Sequence, residues 1–147
     1  MKYIIGNDHG GIDLVESVEE KLVELGHEVE KVGTFTKDSC DYTDFAKIAC
    51  EKVLNKEADF AILICGTGIG MSLAANKFKG IRAACLSDVY SAKMCRAHNN
   101  SNVLCIGSRV IGSEVAKMIV EVFSKTEFEG GRHLKRINKL KEIEENN

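Results

Sequence analysis

Residues 58–72 have the sequence ADFAILICGTGIGMS. The first half is a short apolar run with the β-branched residues Ile62 and Ile64, typical of a strand that is buried on both faces of a parallel sheet. The second half has glycine at positions 66, 68 and 70 and then enters a helical pattern. Glycines at a strand-to-helix turn allow backbone N–H groups to converge on a negatively charged atom. The stretch therefore predicts a central strand followed by an anion-binding turn.

Cys65 is the last residue of this predicted strand and faces the same turn. The start of a helix stabilises a thiolate, so we expect this thiol to ionise more readily than a thiol in solution. The same residues also fit a tight turn after a core strand that carries a buried cysteine. The stretch by itself leaves both interpretations open.

Length and composition limit the classes of protein to consider. The 147 residues suit a single domain spanning residues 1–147, because domains cluster at about 100–150 residues. The formal net charge of -2 argues against nucleic acid as a partner. No apolar run approaches the ~20 residues that cross a membrane, and the apolar start is too short for a signal peptide. We therefore expect a cytoplasmic protein with no membrane partner.

The six cysteines contain no C-x-x-C pair, which argues against a zinc knuckle or a thioredoxin-type redox site. Cys50, Cys85 and Cys105 lie in apolar helical or strand-like runs, so we expect them to be reduced and buried. The histidines and cysteines are not clustered as metal ligands usually are. The sequence therefore predicts neither a metal site nor a cofactor.

Strand and helix patterns alternate along the chain. Strands are predicted at residues 2–6, 27–32, 58–65, 81–86 and 102–106. Helices are predicted at residues 12–25, 42–55, 88–97 and 113–124, with a further helix between the glycine turn and Gly80. This alternation predicts the α/β class, as a three-layer α/β/α Rossmann-like domain with a five-stranded parallel sheet. The polar–apolar alternation of residues 27–32 places that strand near an edge.

Apolar spacing indicates which helix faces are buried. In the second helix the predicted inward residues are Phe45, Ile48, Ala49 and Val53, and in the fifth they are Val115, Met118, Ile119, Val122 and Phe123. An extra C-terminal helix at about residues 130–145 carries Leu134, Ile137, Leu140 and Ile143 at near-heptad spacing. The fifth strand is already followed by its own helix, so the extra helix is not needed to cover the sheet. We therefore expect its apolar stripe to pack on a partner subunit and serve dimerisation.

Polar residues follow several of the predicted strands. Asp8 and His9 follow the first strand, residues 65–70 end the third, and Arg109 follows the fifth. Open parallel sheets bind ligands beyond the carboxyl ends of their strands, so these residues indicate a site. Asp8 could also simply cap the first helix. His98 could be an ordinary polar helix exit, and Arg132 with Arg136 could be either a phosphate-binding pair or a solvated basic face.

Several motifs together resemble type B ribose-5-phosphate isomerases over nearly the whole chain. They are Asp8-His9-Gly10-Gly11, Cys65-Gly66-Thr67-Gly68-Ile69-Gly70, Ala74-Ala75-Asn76-Lys77, Tyr90-Ser91-Ala92, His98-Asn99, Gly107-Ser108-Arg109 and Gly130-Gly131-Arg132-His133. The resemblance implies an aldose–ketose isomerase of the pentose phosphate pathway that interconverts ribose 5-phosphate and ribulose 5-phosphate. It further implies a cis-enediolate intermediate, no metal and no cofactor. Allose-6-phosphate and galactose-6-phosphate isomerases are related and stay open as alternatives.

The resemblance also assigns roles to residues of this chain. Cys65 would be the base, Thr67 would help to position the substrate, and His98 would open the sugar ring. The remaining residues would bind the substrate: Gly66, Gly68, Ile69 and Gly70 the enediolate oxygens, Asp8 the hydroxyls, Asn99 the sugar chain, and His9, Arg109, Arg132 and Arg136 the phosphate. The family's site is completed across a homodimer, with a tetramer as a further possibility, and the neighbouring subunit would supply the His98 and Arg109 segments.

The chain can be compared with the family at two further positions. Some relatives use a glutamate just after the glycine turn as base, whereas Met71 and Ser72 occupy that region here, which leaves Cys65 as the only base in place. Family members commonly have proline where this chain has Thr43. This difference leaves the stiffness of the loop at residues 33–44 open, but it removes no catalytic group. Two functions from other classes also stay open: a non-catalytic sugar-phosphate binding module, and an enzyme that forms a covalent adduct on cysteine.

Overall fold

The computed structural model describes all residues from Met1 to Asn147 and contains one five-stranded sheet and six helices. The strands are β1 (Lys2–Asn7), β2 (Glu28–Lys31), β3 (Phe60–Cys65), β4 (Ala83–Cys85) and β5 (Val103–Gly107). The helices are α1 (Ile12–Glu24), α2 (Tyr42–Leu54), α3 (Ile69–Ala75), α4 (Val89–Ala97), α5 (Ser113–Lys125) and α6 (Arg132–Glu145).

The sheet is parallel throughout, with strand order β2-β1-β3-β5-β4. The predicted α/β/α fold is therefore confirmed, as is the edge position of β2. The central strand β3 alternates its side chains between two cores, because successive residues of a strand point to opposite faces. Ile62 and Ile64 lie in the core under α1, α4 and α5, whereas Leu63 and Cys65 lie in the core under α2 and α3.

Three residues that were predicted to face inward are exposed. Ile48 in α2 is 40% exposed, and Val115 and Met118 in α5 are 39% and 54% exposed. The buried faces instead consist of Ala46, Ala49, Cys50 and Val53 in α2, and of Ala116, Ile119, Val120 and Phe123 in α5. Both sets follow i, i+3, i+4, i+7 spacing. The three exposed residues lie on the flanks of these faces, so the predictions for them were wrong.

The β4 region also differs from the prediction. The strand has three residues instead of six, because it is an edge strand that pairs with β5 alone. Cys85 at its end is exposed, which corrects the expectation of a buried thiol. The preceding helix α3 ends at Ala75 instead of reaching Gly80. There the Asn76 side chain forms two hydrogen bonds with the backbone of Ala83, at 2.9 and 3.0 Å, which turn the chain into β4.

The apolar stripe of α6 is largely uncovered in the single chain. Leu134, Leu140 and Ile143 are 49%, 48% and 60% exposed, as a partner-facing surface would be. The role of α6 in dimerisation stays a prediction. None of the six helices has both the length and the apolar character needed to cross a membrane.

Candidate active site

The ends of β1, β3 and β5 bring three polar segments together at the carboxyl edge of the sheet. The register pairs Asn7 with Ile64 and Cys65 with Gly107. Backbone hydrogen bonds continue this pairing past the strands: Ser108 N–H donates to the Cys65 carbonyl at 2.9 Å. The segments after the three strands therefore form one connected surface around Cys65.

The turn after Cys65 has a conformation that requires glycine. Gly68 has a φ of +83°, and a Cβ there would lie 3.0 Å from the backbone carbon of Ile106. A Cβ on Gly107 would lie 2.5 Å from the backbone of Thr67. The turn is thus packed directly on the end of β5. Gly68 adopts a left-handed conformation that disfavours other residues, and a side chain at Gly68 or Gly107 would collide with neighbouring backbone.

Some backbone amides of the turn donate hydrogen bonds within the turn, and others have no acceptor in the chain. The Gly68 N–H donates to Cys65 Sγ at 3.1 Å, and the Ile69 N–H donates to Thr67 Oγ1 at 3.2 Å. The N–H groups of Gly66, Thr67 and Gly70 have no hydrogen-bond acceptor within the chain. This edge can therefore donate several hydrogen bonds to an oxygen-rich ligand beside the Cys65 sulfur.

The segment after β1 lies against this turn. Asp8 is buried, and its Oδ1 accepts a hydrogen bond from Gly11 N–H at 3.0 Å, so the carboxylate does fix the start of α1. Gly10 packs on the Gly66 amide, and its carbonyl accepts a short hydrogen bond from the Ser108 hydroxyl. His9 points towards the loop before α2, where its Nδ1 lies 3.4 Å from Cys40 N.

Arg109 belongs to the turn of its own chain. Its N–H donates to the Gly66 carbonyl at 3.0 Å, and its Nη1 lies 3.3 Å from the position that a Cβ on Gly66 would take. This geometry corrects the expectation that a neighbouring subunit supplies the Arg109 segment. The guanidinium instead provides positive charge beside Cys65 from within the chain.

His98 and Asn99 lie at the other edge of the sheet. Helix α4 starts after the carboxyl end of β4 and ends just before the amino end of β5. It must therefore run back across the sheet, as a crossover between parallel strands does. His98, the residue after α4, is thus separated from Cys65 by the length of β5. That length is roughly 15 Å for the five residues of the strand.

The segment before α6 joins His98 at this amino edge. The Glu129 N–H donates to the Ala97 carbonyl at 3.0 Å and so holds the segment on the end of α4. The His98 and His133 rings stack with centroids 4.1 Å apart and planes 11° apart. Glu129 Oε2 lies 3.8 Å from His98 Nε2 and 3.3 Å from His133 Nε2.

A cavity of about 350 Å³ opens at this group of residues. His98, Asn99, His133 and Arg136 supply its polar lining, and Ile137 and Leu140 supply its apolar lining. Burial lowers the pKa of His133, the neighbouring His98, Arg132 and Arg136 side chains lower it further, and Glu129 raises it. The surroundings of His133 therefore disfavour its protonation.

The structure thus separates the predicted site residues into two groups. The carboxyl-edge group contains Asp8, His9, Cys65, Gly66, Thr67, Gly68, Ile69, Gly70 and Arg109. The amino-edge group contains His98, Asn99 and Arg136, with Arg132 at the start of α6. Neither Cys65 nor Asp8 lines any of the five main cavities of the chain.

Comparison with known protein families identifies the relatives of this arrangement. The model of a family described as Ribose/Galactose Isomerase matches residues 3–140. The chain belongs to the ribose/galactose isomerase family. Among its relatives, the ribose-5-phosphate isomerase B of Escherichia coli is 46% identical over 144 residues, which cover 98% of this chain and 97% of the relative. A putative sugar phosphate isomerase of Bacillus subtilis is 47% identical over 148 residues, covering 100% and 99%.

Solved structures of ribose/galactose isomerases agree with the fold. The Clostridium thermocellum ribose-5-phosphate isomerase B superposes with a TM-score of 0.97 at 46% identity, covering 99% of each chain. The Mycoplasma genitalium enzyme, solved with bound ribulose-5-phosphate, superposes with a TM-score of 0.93 at 39% identity, covering 99% of this chain and 97% of that one. The present family member is an isomerase that interconverts an aldose and a ketose.

Sequence reasoning missed two members of the amino-edge group in this isomerase. Glu129 was not singled out, and His133 entered only as part of a family motif. No helical pattern signals this pair, because Glu129 lies in the irregular segment between α5 and α6. Together with His98 they present two imidazoles and a carboxylate, all with ligand atoms within 4.8 Å of one another. This is a set of metal-ligand types that the sequence prediction of no metal site did not foresee.

Proposed function

We propose that this protein interconverts ribose 5-phosphate and ribulose 5-phosphate through a cis-enediolate, with Cys65 as the base. Two of its relatives carry the name ribose-5-phosphate isomerase B at 46% identity. A third was solved with the ketose product of this reaction, ribulose 5-phosphate, bound. These relatives cover nearly the whole chain.

The observation that carries the proposal is the Cys65 sulfur beside three free backbone amides. A thiolate at Cys65 accepts the proton from C2 of the open-chain aldose, and the electron pair of that C–H bond moves to form the enediolate. The hydrogen bond from Gly68 N–H at 3.1 Å stabilises negative charge on the sulfur. The sulfur-bound proton, which can exchange with solvent, is then delivered to C1, while the hydroxyl proton on O2 moves to O1, and the ketose results.

The enediolate oxygens carry the developing negative charge in this mechanism. The N–H groups of Gly66, Thr67 and Gly70 have no acceptor in the chain, so they can donate to these oxygens. Oriented donors of this kind are worth roughly 3–4 kcal/mol each in comparable sites. Asp8 lies one segment away, where its carboxylate can accept hydrogen bonds from the sugar hydroxyls.

Ring opening and most of the phosphate binding come from a second copy of the chain. The distance of roughly 15 Å between the sheet edges keeps the His98 of one chain away from its own Cys65. In a homodimer His98, Asn99, Arg132 and Arg136 of one subunit cover the open carboxyl edge of the other. His9 and Arg109 add positive charge for the phosphate from the Cys65 side.

Isomerisation in D₂O tests this function and its mechanism together. An enediolate route exchanges the abstracted proton with solvent, so deuterium should appear at C2 of ribose 5-phosphate and at C1 of ribulose 5-phosphate. Mass spectrometry and NMR of the recovered sugars measure the incorporation. Turnover without any deuterium would count against an enediolate whose proton exchanges with solvent and would favour a direct hydride shift.

The sugar is tested by comparing kcat/KM for three substrates. Ribose 5-phosphate should exceed allose 6-phosphate and galactose 6-phosphate by at least about tenfold, because a site shaped for five carbons gains little from the longer chain. A reversed order would assign the protein to one of the hexose phosphates. Binding of all three sugars without turnover would instead make it a binding module.

A further inference from the structure

The group of Glu129, His98 and His133 has the donor set of a divalent transition-metal site. Zinc in proteins is bound by imidazole nitrogen and carboxylate oxygen, and two histidines with one glutamate are a known set of three protein ligands. Ligands at about 2.0–2.1 Å from one ion lie roughly 3.3 Å apart. Glu129 Oε2 is 3.3 Å from His133 Nε2 and 3.8 Å from His98 Nε2, close to that separation.

The burial of His133 gives a second, independent indication of a ligand. Its side chain is 5% exposed, and its Nε2 has no hydrogen-bond partner. The Glu129 oxygen is near this nitrogen but does not have hydrogen-bond geometry towards it. Burying a polar atom without a hydrogen-bond partner costs free energy. A metal ion that accepts the lone pair of His133 Nε2 would remove that cost.

The charges around the group set the chemical class of the ion. Glu129 is the negative group within the site, whereas Arg132 and Arg136 lie nearby and are positive. The two guanidiniums repel a hard cation that binds mainly by charge. Soft and borderline ions such as Zn²⁺ and Co²⁺ bind imidazole nitrogen directly and suit this environment best.

We propose that Glu129, His98 and His133 form a binding site for a zinc-class divalent cation at the amino edge of the sheet. The two stacked rings direct their lone pairs in parallel, so His98 must turn out of the stack to complete the site. Its side chain is 36% exposed in the single chain, so the chain itself leaves room for this rotation. The remaining coordination positions face the cavity beside Asn99 and Arg136 and are filled by water.

Metal binding and catalysis compete for the same imidazole. This consequence rests on the proposed function, in which His98 opens the sugar ring. An ion on His98 Nε2 occupies the nitrogen lone pair and moves the ring, so the ion inhibits the enzyme. The activity should therefore survive chelators and fall on addition of Zn²⁺.

Titration with Co²⁺ measures the site without any need for activity. One equivalent per chain should give visible absorption bands, and Zn²⁺ should displace them. Glu129→Gln and His133→Phe should each weaken Co²⁺ binding by at least about tenfold, the lower bound for disturbing a metal site. His133→Phe keeps an aromatic ring against His98, and the exposed Glu129 tolerates substitution without a core defect.

Two variants serve as controls. Glu127→Gln removes a carboxylate of the same segment and should bind Co²⁺ as the wild type does. Cys65→Ala should also keep the bands, and their disappearance would place the ion on the thiolate and overturn the proposal. Unchanged affinity in Glu129→Gln and His133→Phe, or no saturable binding at all, would overturn it as well. Binding without inhibition would leave the metal site standing and count against the ring-opening role of His98.

Discussion

The carboxyl and amino edges of the sheet differ in their functional groups and in their cavities. The carboxyl edge carries the Cys65 sulfur, free backbone amides and the Arg109 guanidinium, and the glycine turn there is held by its packing on β5. Cys65 nevertheless lines none of the main cavities. The amino edge has a cavity, imidazoles and arginines, but no group comparable to the Cys65 turn. The two edges therefore carry complementary groups, which is the arrangement that the proposed homodimer requires.

This difference also assigns distinct tasks to the edges. Groups that stabilise a transition state must be held rigidly, as the Cys65 turn is by its contacts with β5. In the proposed homodimer, the groups that bind the remote phosphate lie on a separate surface that the second subunit supplies. The predictions below separate these tasks.

The largest effect is expected from Cys65→Ala at the carboxyl edge. Loss of the base should lower kcat by about a hundredfold to ten-thousandfold, the usual range for general base catalysis. Affinity for ribose 5-phosphate should change little, because the base acts in the transition state. Steady-state kinetics and calorimetry measure the two quantities. Cys85→Ala removes an exposed thiol from the same edge and should keep wild-type activity; equal losses in both variants would count against Cys65.

Mixing inactive variants tests whether the two edges work in pairs. Cys65→Ala and His98→Ala homodimers should both be inactive, whereas a mixed dimer contains one doubly defective site and one intact site. Co-refolding equal amounts should restore up to about a quarter of wild-type activity, assuming random pairing and independent sites. No recovery, with heterodimers demonstrated by differential tagging, would show that each site lies within one chain.

Arg136→Ala should weaken substrate binding at the amino edge. Loss of one charged hydrogen-bond partner of the phosphate costs about 1.5–3 kcal/mol, which corresponds to an increase in KM of roughly 10–150-fold. The rate at saturation should fall less than the affinity. Lys139→Ala removes an exposed positive charge from the same helix and is the matched control. Equal increases in KM would mean that the general charge of α6 matters and that Arg136 has no specific contact.

The sequence predicted the carboxyl edge better than the amino edge, for a physical reason. Cys65 and its glycine turn are contiguous in the chain, so local strand and turn chemistry defined them. The Glu129 and His98 side chains meet through the hydrogen bond from Glu129 N–H to the Ala97 carbonyl, a contact between distant segments that no local pattern encodes. Cys85 was assigned wrongly because an apolar run does not reveal whether its strand lies at an edge.

Gly68→Ala tests how far the rigidity of the Cys65 turn matters. Its positive φ costs a non-glycine residue about 1–3 kcal/mol, and the added Cβ would press on the backbone of Ile106. Urea unfolding should show a loss of at least this size, with a fall in kcat because the turn shifts. Gly112→Ala has a φ of −82° and open space around it, so its stability should be close to wild type. Similar stabilities for both variants would argue against a strained turn.

The smallest effect concerns His27, a half-buried imidazole at the amino edge next to the start of β2. Its Nδ1 has no hydrogen-bond partner, and its ring lies 5.0 Å from that of Tyr3. Burial lowers the pKa of His27 below its usual 6.5, and the N-terminal ammonium lowers it further. The folded state therefore favours the neutral ring. This contribution to stability is present above pH 6.5 and is lost as the pH falls through the folded-state pKa.

His27→Phe keeps an aromatic ring against Tyr3 but cannot be protonated, so it should lose less stability than the wild type on acidification. Urea unfolding of both proteins at a pH above and a pH below this transition gives the comparison. Carboxylates that titrate in the same range contribute equally to both proteins and cancel in the difference. The imidazole of His27 opposes folding in acid only if it stays buried and unpaired. An identical pH dependence in the two proteins would therefore mean that the ring reaches solvent when it is protonated.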